Sequence, residues 1–241
     1  MRALVFTSDK TIWALQAFSH LWNKYVGEKY PVLVCGFTAP AFELPHYFKF
    51  HSIGDFADYP VERWSNAIIS VLSAIQDEIV LTTFDDFWLA RKVDTEAIDL
   101  LDRYMRVDNP HVARVDLTTD RLYGANLLEV GALGRLDLIS NDFPVPYLFS
   151  TQNGLWRRTE LLRYMRPNET PWQCELDGTA RMHEGRATVL GTRQAPMRYL
   201  IAVQKGKLAF DGGYQVPRVP FKDWDELKSL GYLEGAKDYA A

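Results

Sequence analysis

Two carboxylates stand side by side at Asp85 and Asp86, where the run Ile79-Val80-Leu81-Thr82-Thr83-Phe84 ends and Phe87-Trp88-Leu89 begins. Such a run of aliphatic, β-branched and aromatic residues predicts a buried strand, so the pair is expected where that strand leaves its sheet. Adjacent like charges repel, and burial raises the cost. A metal ion, an Arg or Lys, or open solvent must relieve them; the plainer alternative is a turn-forming Asp pair at a strand end. A second constellation is Trp156 followed by Arg157 and Arg158, with Arg163 and Arg166 in or beside one predicted helix. A cationic face beside an aromatic ring suits an anionic ligand, such as a phosphorylated glycan or a modified nucleic acid. The same arginines paired with Glu160 and Glu169 would be solvated helix surface. Trp156 and Trp172 offer broad faces that stack on a sugar or fill a core, and Trp88 reads as core.

The elements that must position these groups alternate through the first half. Strands are predicted at Arg2 to Ser8, Tyr30 to Phe37 and Tyr47 to Gly54, before the one that ends at Asp85. Helices are predicted between and after them, at Thr11 to Val26, Pro60 to Ile75 and Asp94 to Met105, with Pro60 near a helix start and Asp94 as an N-cap. Strands separated by helices imply a parallel sheet covered on both faces. In such sheets ligands bind at the carboxyl ends of strands, which is where Asp85 and Asp86 fall. The second half is less regular. Arg135 to Ser140 and Val145 to Thr151 read as strands, Arg157 to Met165 and Pro171 to Met182 as helices. Met197 to Leu208 reads as a strand turning at Gly206, with Lys205 and Lys207 as candidates to meet phosphate, and Phe221 to Leu233 as a short helix closed by Gly231.

Composition excludes several classes. The 241 residues are 47% hydrophobic and 24% charged with a formal net charge of -4, an ordinary globular balance without a polycationic excess. Residues 1–120 hold 11 basic and 17 acidic residues against 16 and 14 in the remainder, a mild asymmetry. Two cysteines, Cys35 and Cys174, argue against a disulfide framework and for a reducing compartment. The start MRALVFTSDK lacks a signal-peptide core, and no apolar run approaches the roughly 20 residues of a membrane span. A soluble cytoplasmic protein is expected.

The segment RWSNAIISVLSAIQDEIVLTTFDD (Arg63 to Asp86), followed by STQNGLWRRTELL (Ser150 to Leu162) and ETPWQCELDG (Glu169 to Gly178), resembles bacterial and phage glycosyltransferases of the GT-A fold. The resemblance covers roughly Arg2 to Leu208, and Asp85-Asp86 departs from the family's usual Asp-x-Asp. It implies one α/β domain over residues 1–241, a Rossmann-like sandwich with a mostly parallel central sheet and helices on both faces. Residues 1–120 would bind the nucleotide sugar, and 121–241 would form the acceptor half and tail. It further implies Mn²⁺ or Mg²⁺ held at Asp86, with His183 as a further ligand. Thr7, Ser8, Asp9, Arg63, Asn66 and Asp85 would serve the donor. Glu175, or else Asp177, would be general base, with Trp156, Trp172 and Arg157 at the acceptor.

The chemistry fits those residue types. A hard cation takes carboxylate and phosphate oxygens and neutralises the diphosphate as the glycosidic bond breaks. The acceptor hydroxyl loses its proton to a carboxylate, if configuration is inverted. A hexosyl- or pentosyltransferase is the expectation. A sugar nucleotidyltransferase shares the fold class but wants a Gly-rich phosphate loop after the first strand, and VFTSDKTIWAL has no glycine. A non-catalytic nucleotide- or carbohydrate-binding module would need neither the Asp pair nor Glu175, and a nuclease would need more clustered carboxylates. The donor sugar, the nucleotide, the acceptor and the oligomeric state are not fixed by the sequence.

Overall fold

In a computed structural model of the chain, residues 1–204, 207–215 and 218–237 are described. In chain order the main elements are β1 (Arg2–Phe6), α1 (Ile12–Tyr25), β2 (Val32–Gly36), β3 (Phe48–Ser52), α2 (Trp64–Ala74), β4 (Ile79–Phe84) and β5 (Phe87–Leu89). Then come α3 (Thr95–Arg103), β6 (Val112–Asp116), β7 (Leu127–Leu133), β8 (Leu136–Asn141), β9 (Gly154–Arg157), α4 (Arg158–Tyr164) and α5 (Pro171–Glu184). The last are β10 (Thr188–Thr192), β11 (Tyr199–Ile201) and α6 (Trp224–Ser229).

Nine strands form one sheet in the order β3-β2-β1-β4-β9-β6-β10-β8-β7. Only β9 and β8 run against the common direction, so the sheet is mostly parallel, as its hydrophobic strands and intervening helices require. Its two faces carry separate cores. Leu15, Phe18 and Trp22 of α1 and Ile98 and Leu101 of α3 pack on one; Val71 and Leu72 of α2, Leu161 of α4 and Met182 of α5 pack on the other. Asp94 caps α3, its carboxylate accepting from the Ala97 amide at 3.1 Å. Thr170 and Gln173 form a reciprocal capping box on α5.

The structure corrects several sequence expectations. Val145 to Thr151 is a loop, because Pro144 and Pro146 withhold the amides a ladder needs. The helix expected from Arg157 starts one residue later, since Arg157 ends β9. Met197 to Leu208 is no single strand: β11 pairs with β5, and Lys205 and Gly206 lie outside the described residues. The segment after Leu208 returns to the first half. Phe210 packs on Phe221, Trp224 and Trp88, with Phe221 also on Trp88, and Asp223 accepts from Tyr25 Oη at 2.7 Å and Lys24 Nζ at 2.8 Å.

Candidate active site

The register of β1 against β4 sets Phe6 opposite Phe84, so the residues just past each strand, Thr7 and Asp85, become neighbours. Thr7 Oγ1 donates to Asp85 Oδ2 at 2.5 Å, and the Asp85 amide donates to the Phe6 carbonyl at 3.1 Å. Gly36 of β2 lies beside them. A Cβ there would stand 2.6 Å from Thr7 Cγ2, so only glycine lets Thr7 hold this position. Burial, and then the Asp86 charge, push the Asp85 carboxyl well above the usual carboxylate range. Asp86 is partly open, and burial raises its carboxyl to about 6. Its carbonyl accepts from the Ala202 amide at 2.6 Å, which ties the turn to the segment after β11.

Both carboxylates line a cavity of about 650 Å³ at the ends of β1 and β4. Its walls include Thr7, Ser8, Lys10 and Thr11 on one side and Phe37, Phe56, Tyr59, Trp64 and Phe84 on the other. Phe37 stands 5.1 Å from Phe56 and 5.5 Å from Tyr59 between ring centroids, and Trp64 stacks on Phe84 at 6.2 Å. The sequence assigns none of these five aromatics to the site, although Trp64 and Phe84 fall within the motif Arg63 to Asp86. Their signal was the clustering of Phe56, Tyr59 and Trp64 before and at the start of α2.

A neighbouring crevice shares Phe6, Trp64, Ile68 and Phe84 with the cavity and reaches Ser150 and Thr151. There Glu175 of α5 accepts from the Thr151 amide and hydroxyl, each at 2.8 Å. The lining shared with the cavity thus continues to Thr151, the residue bonded by Glu175. Asp177 and Trp172 are exposed on the same helix.

Other expected site residues fall elsewhere. Asp9 accepts from the Thr38 amide and hydroxyl at 3.0 and 2.9 Å. Arg63 is exposed just ahead of α2, outside the cavity walls. Asn66 exchanges hydrogen bonds with Asn168, at 2.7 and 3.2 Å. Beside it buried Ser65 donates to the Arg166 carbonyl at 2.7 Å and accepts from the Glu169 amide at 3.0 Å. Glu169 in turn pairs with Arg181 at 2.7 Å. The WSN stretch therefore clamps α2 to the loop that starts α5.

Trp156 and Arg157 are corrections. Trp156 is 1% exposed, packed against Phe149 and Arg114, and shows no more than an edge to the small crevice at Thr151. Arg157 bonds Glu78 at 2.5 Å and the carbonyls of Met105 and Val112, because β9 lies between two strands and buries its last residue. His183 packs edge-on to Phe143 and accepts weakly from the Val145 amide at 3.4 Å. No third His, Cys, Asp or Glu joins Asp85 and Asp86 in a metal-ligating cluster among the described residues, so His183 is not brought to them. Lys207 is exposed.

A divalent cation still fits the acidic pair. Two adjacent carboxylates, both raised by burial, are the electrostatic condition a cation relieves, and Mg²⁺ commonly takes one or two carboxylates with the rest of its shell from phosphate and water.

No known protein family matches the chain, and no curated protein matches it in sequence. Solved structures resemble it in fold. UTP-bound UGPase from Acinetobacter baumannii aligns over 99% of this chain and 92% of its own at TM-score 0.50 and 11% identity. CMP:2-keto-3-deoxy-manno-octonic acid synthetase complexed with CTP aligns over 97% and 98% at TM-score 0.43 and 13% identity. For LgtC the values are 68% of this chain, 59% of that one, TM-score 0.40 and 14% identity, so the match spans under two thirds of LgtC. The chain has a mixed α/β fold with one large, mostly parallel sheet, and the UGPase structure shares that fold over nearly the whole of both chains.

Proposed function

We propose that the chain is a glycosyltransferase that takes a nucleotide sugar in the cavity at the ends of β1 and β4 and uses Mn²⁺ or Mg²⁺. The observation that carries this reading is the acidic pair facing an aromatic-walled cavity at a strand end. Flat rings suit a nucleobase. Asp86, with Asp85 steadied by Thr7, would hold the cation, which when bound supplies charge neutralisation to the diphosphate leaving group. Glu175 would accept the acceptor hydroxyl's proton while its oxygen bonds to the anomeric carbon and the bond from that carbon to the diphosphate breaks. Trp172, 69% exposed, is the remaining aromatic for an acceptor. Most of the donor contacts come from residues 1–120, and Glu175 and Trp172 belong to the acceptor side.

Thermal unfolding with a panel of nucleotide sugars tests the reading. Stabilisation by at least one of them, only with Mn²⁺ or Mg²⁺ present, is expected. Metal-independent stabilisation would favour a binding module. Release of pyrophosphate from a nucleoside triphosphate and a sugar 1-phosphate would make the chain a nucleotidyltransferase instead.

A further inference from the structure

Between Asp86 and Asp116 the sheet edge holds buried polar atoms that none of the roles above uses. β9 lies between β4 and β6, with Gly154 opposite Thr82 on one side and Asp116 on the other. Asn153 therefore enters the sheet where β4 and β6 end, and its carbonyl accepts from the Leu117 amide at 3.1 Å. Its side chain is 0% exposed, yet neither the amide oxygen nor the amide nitrogen has a hydrogen-bond partner among the described residues. The register carries Thr83 opposite Asn153, and the Thr83 hydroxyl is likewise buried and unpartnered. An unpaired buried polar atom is costly, and native interiors hold few of them.

The surroundings give these atoms a direction. Strand alternation puts Thr83 and Asn153 on the face of Leu81 and Leu155, where Met197 and Ala202 also pack. The Met197 amide bonds Leu117 at 2.8 Å and the Ala202 amide bonds Asp86 at 2.6 Å, so the segment 197–202 passes over the ends of both strands. Tyr199 of that segment pairs with Leu89 of β5 and packs on Phe87 at 4.7 Å between ring centroids, just past Asp86. A donor with its base among the aromatic rings and its diphosphate at Asp86 carries its sugar beyond Asp86, along this edge.

We propose that Asn153 and Thr83 form the subsite for the sugar of the donor, with the amide reading two neighbouring hydroxyls. An amide sets an acceptor and donors side by side, and adjacent hydroxyls both donate and accept. The subsite requires the segment 197–202, held by β5 and by the Asp86 carbonyl, to lift for the sugar and close over it. The inference rests on the nucleotide-sugar reading of the cavity.

The test compares nucleoside diphosphates with their sugar-bearing forms. Wild type, Asn153→Ala and Thr83→Val are titrated calorimetrically, with Mn²⁺, against UDP and UDP-glucose, GDP and GDP-mannose, and TDP and TDP-glucose. Wild type should bind at least one sugar form more tightly than its diphosphate. Asn153→Ala should weaken that form about tenfold and the diphosphate by no more than about twofold, the scale of one or two hydrogen bonds. Thr83→Val, nearly the same shape, should shift affinity the same way by less. Equal losses for diphosphate and sugar form, or no loss in either variant, overturn the subsite and leave the donor cavity standing. Raised melting temperatures with unchanged affinities mark these atoms as water sites only and overturn it as well. If wild type binds none of the six, the nucleotide-sugar reading falls and the subsite with it.

Discussion

Partial enclosure by the fold raises the Asp86 carboxyl to about 6. Its folded value, about 6, exceeds the ordinary 3.8, so its contribution to stability is full below the ordinary value and is lost as pH rises through about 6. One pKa unit is worth about 1.4 kcal/mol, and the partial opening of Asp86 to solvent reduces the effect to about 1–2 kcal/mol. Asp86→Asn should raise the metal-free melting temperature above neutral pH by a few degrees, flatten its decline around pH 6, and abolish transfer. A melting temperature lowered at alkaline pH would contradict the electrostatic account. Glu175→Gln keeps an oxygen for the two Thr151 donors, so folding and metal-dependent donor binding should survive while turnover falls about 10²–10⁴-fold. Collapse of donor affinity would instead place Glu175 in the donor site. The acidic pair was legible because residue type and strand end coincide in the sequence. Trp156 and Arg157 were not, since nothing in their types tells a face from an interior.

At the scale of elements, β1 to β4 and α1 to α3 were readable because each carries an apolar run or a local hydrophobic period. β6 and β9 were not. β6 contains Arg114 and Asp116, both 0% exposed and paired with each other, which masks a buried strand as a polar one. β9 has only four residues and is placed by antiparallel pairing to strands far away in sequence. The clamp of α2 on the loop ahead of α5 was also hidden, because WSN and ETPW reveal their meeting only in three dimensions. Its energy is testable. Ser65→Ala leaves the Arg166 carbonyl and the Glu169 amide short of a partner in a buried place, and should cost about 2–3 kcal/mol in denaturant unfolding. A loss under about 0.5 kcal/mol, the usual scale of a surface change, would show that the clamp is slack.

For the whole molecule, charge decides what kind of acceptor can approach. The excess of arginine in the second half suggested a cationic face, but the fold ties up much of it in ion pairs and hydrogen bonds. Arg157 is held by Glu78, Arg158 by the carbonyls of Asp77 and Leu72, Arg163 by Glu160 and Arg181 by Glu169. Arg114 and Arg121 are buried on Asp116, Arg121 at 2.6 Å. With the net charge at -4, no long-range field draws a polyanion toward Glu175. Transfer should therefore favour neutral glycosyl acceptors, with a Michaelis constant nearly independent of ionic strength. A protein that contacts several phosphates loses about 10³-fold or more in affinity between about 50 and 200 mM salt, whereas here the change should stay within about twofold. Measuring the acceptor Michaelis constant over that range, with donor and Mn²⁺ saturating, separates the two cases. A steep rise would return the arginines to the acceptor site, and Arg166, exposed at the end of α4, would be the first to substitute.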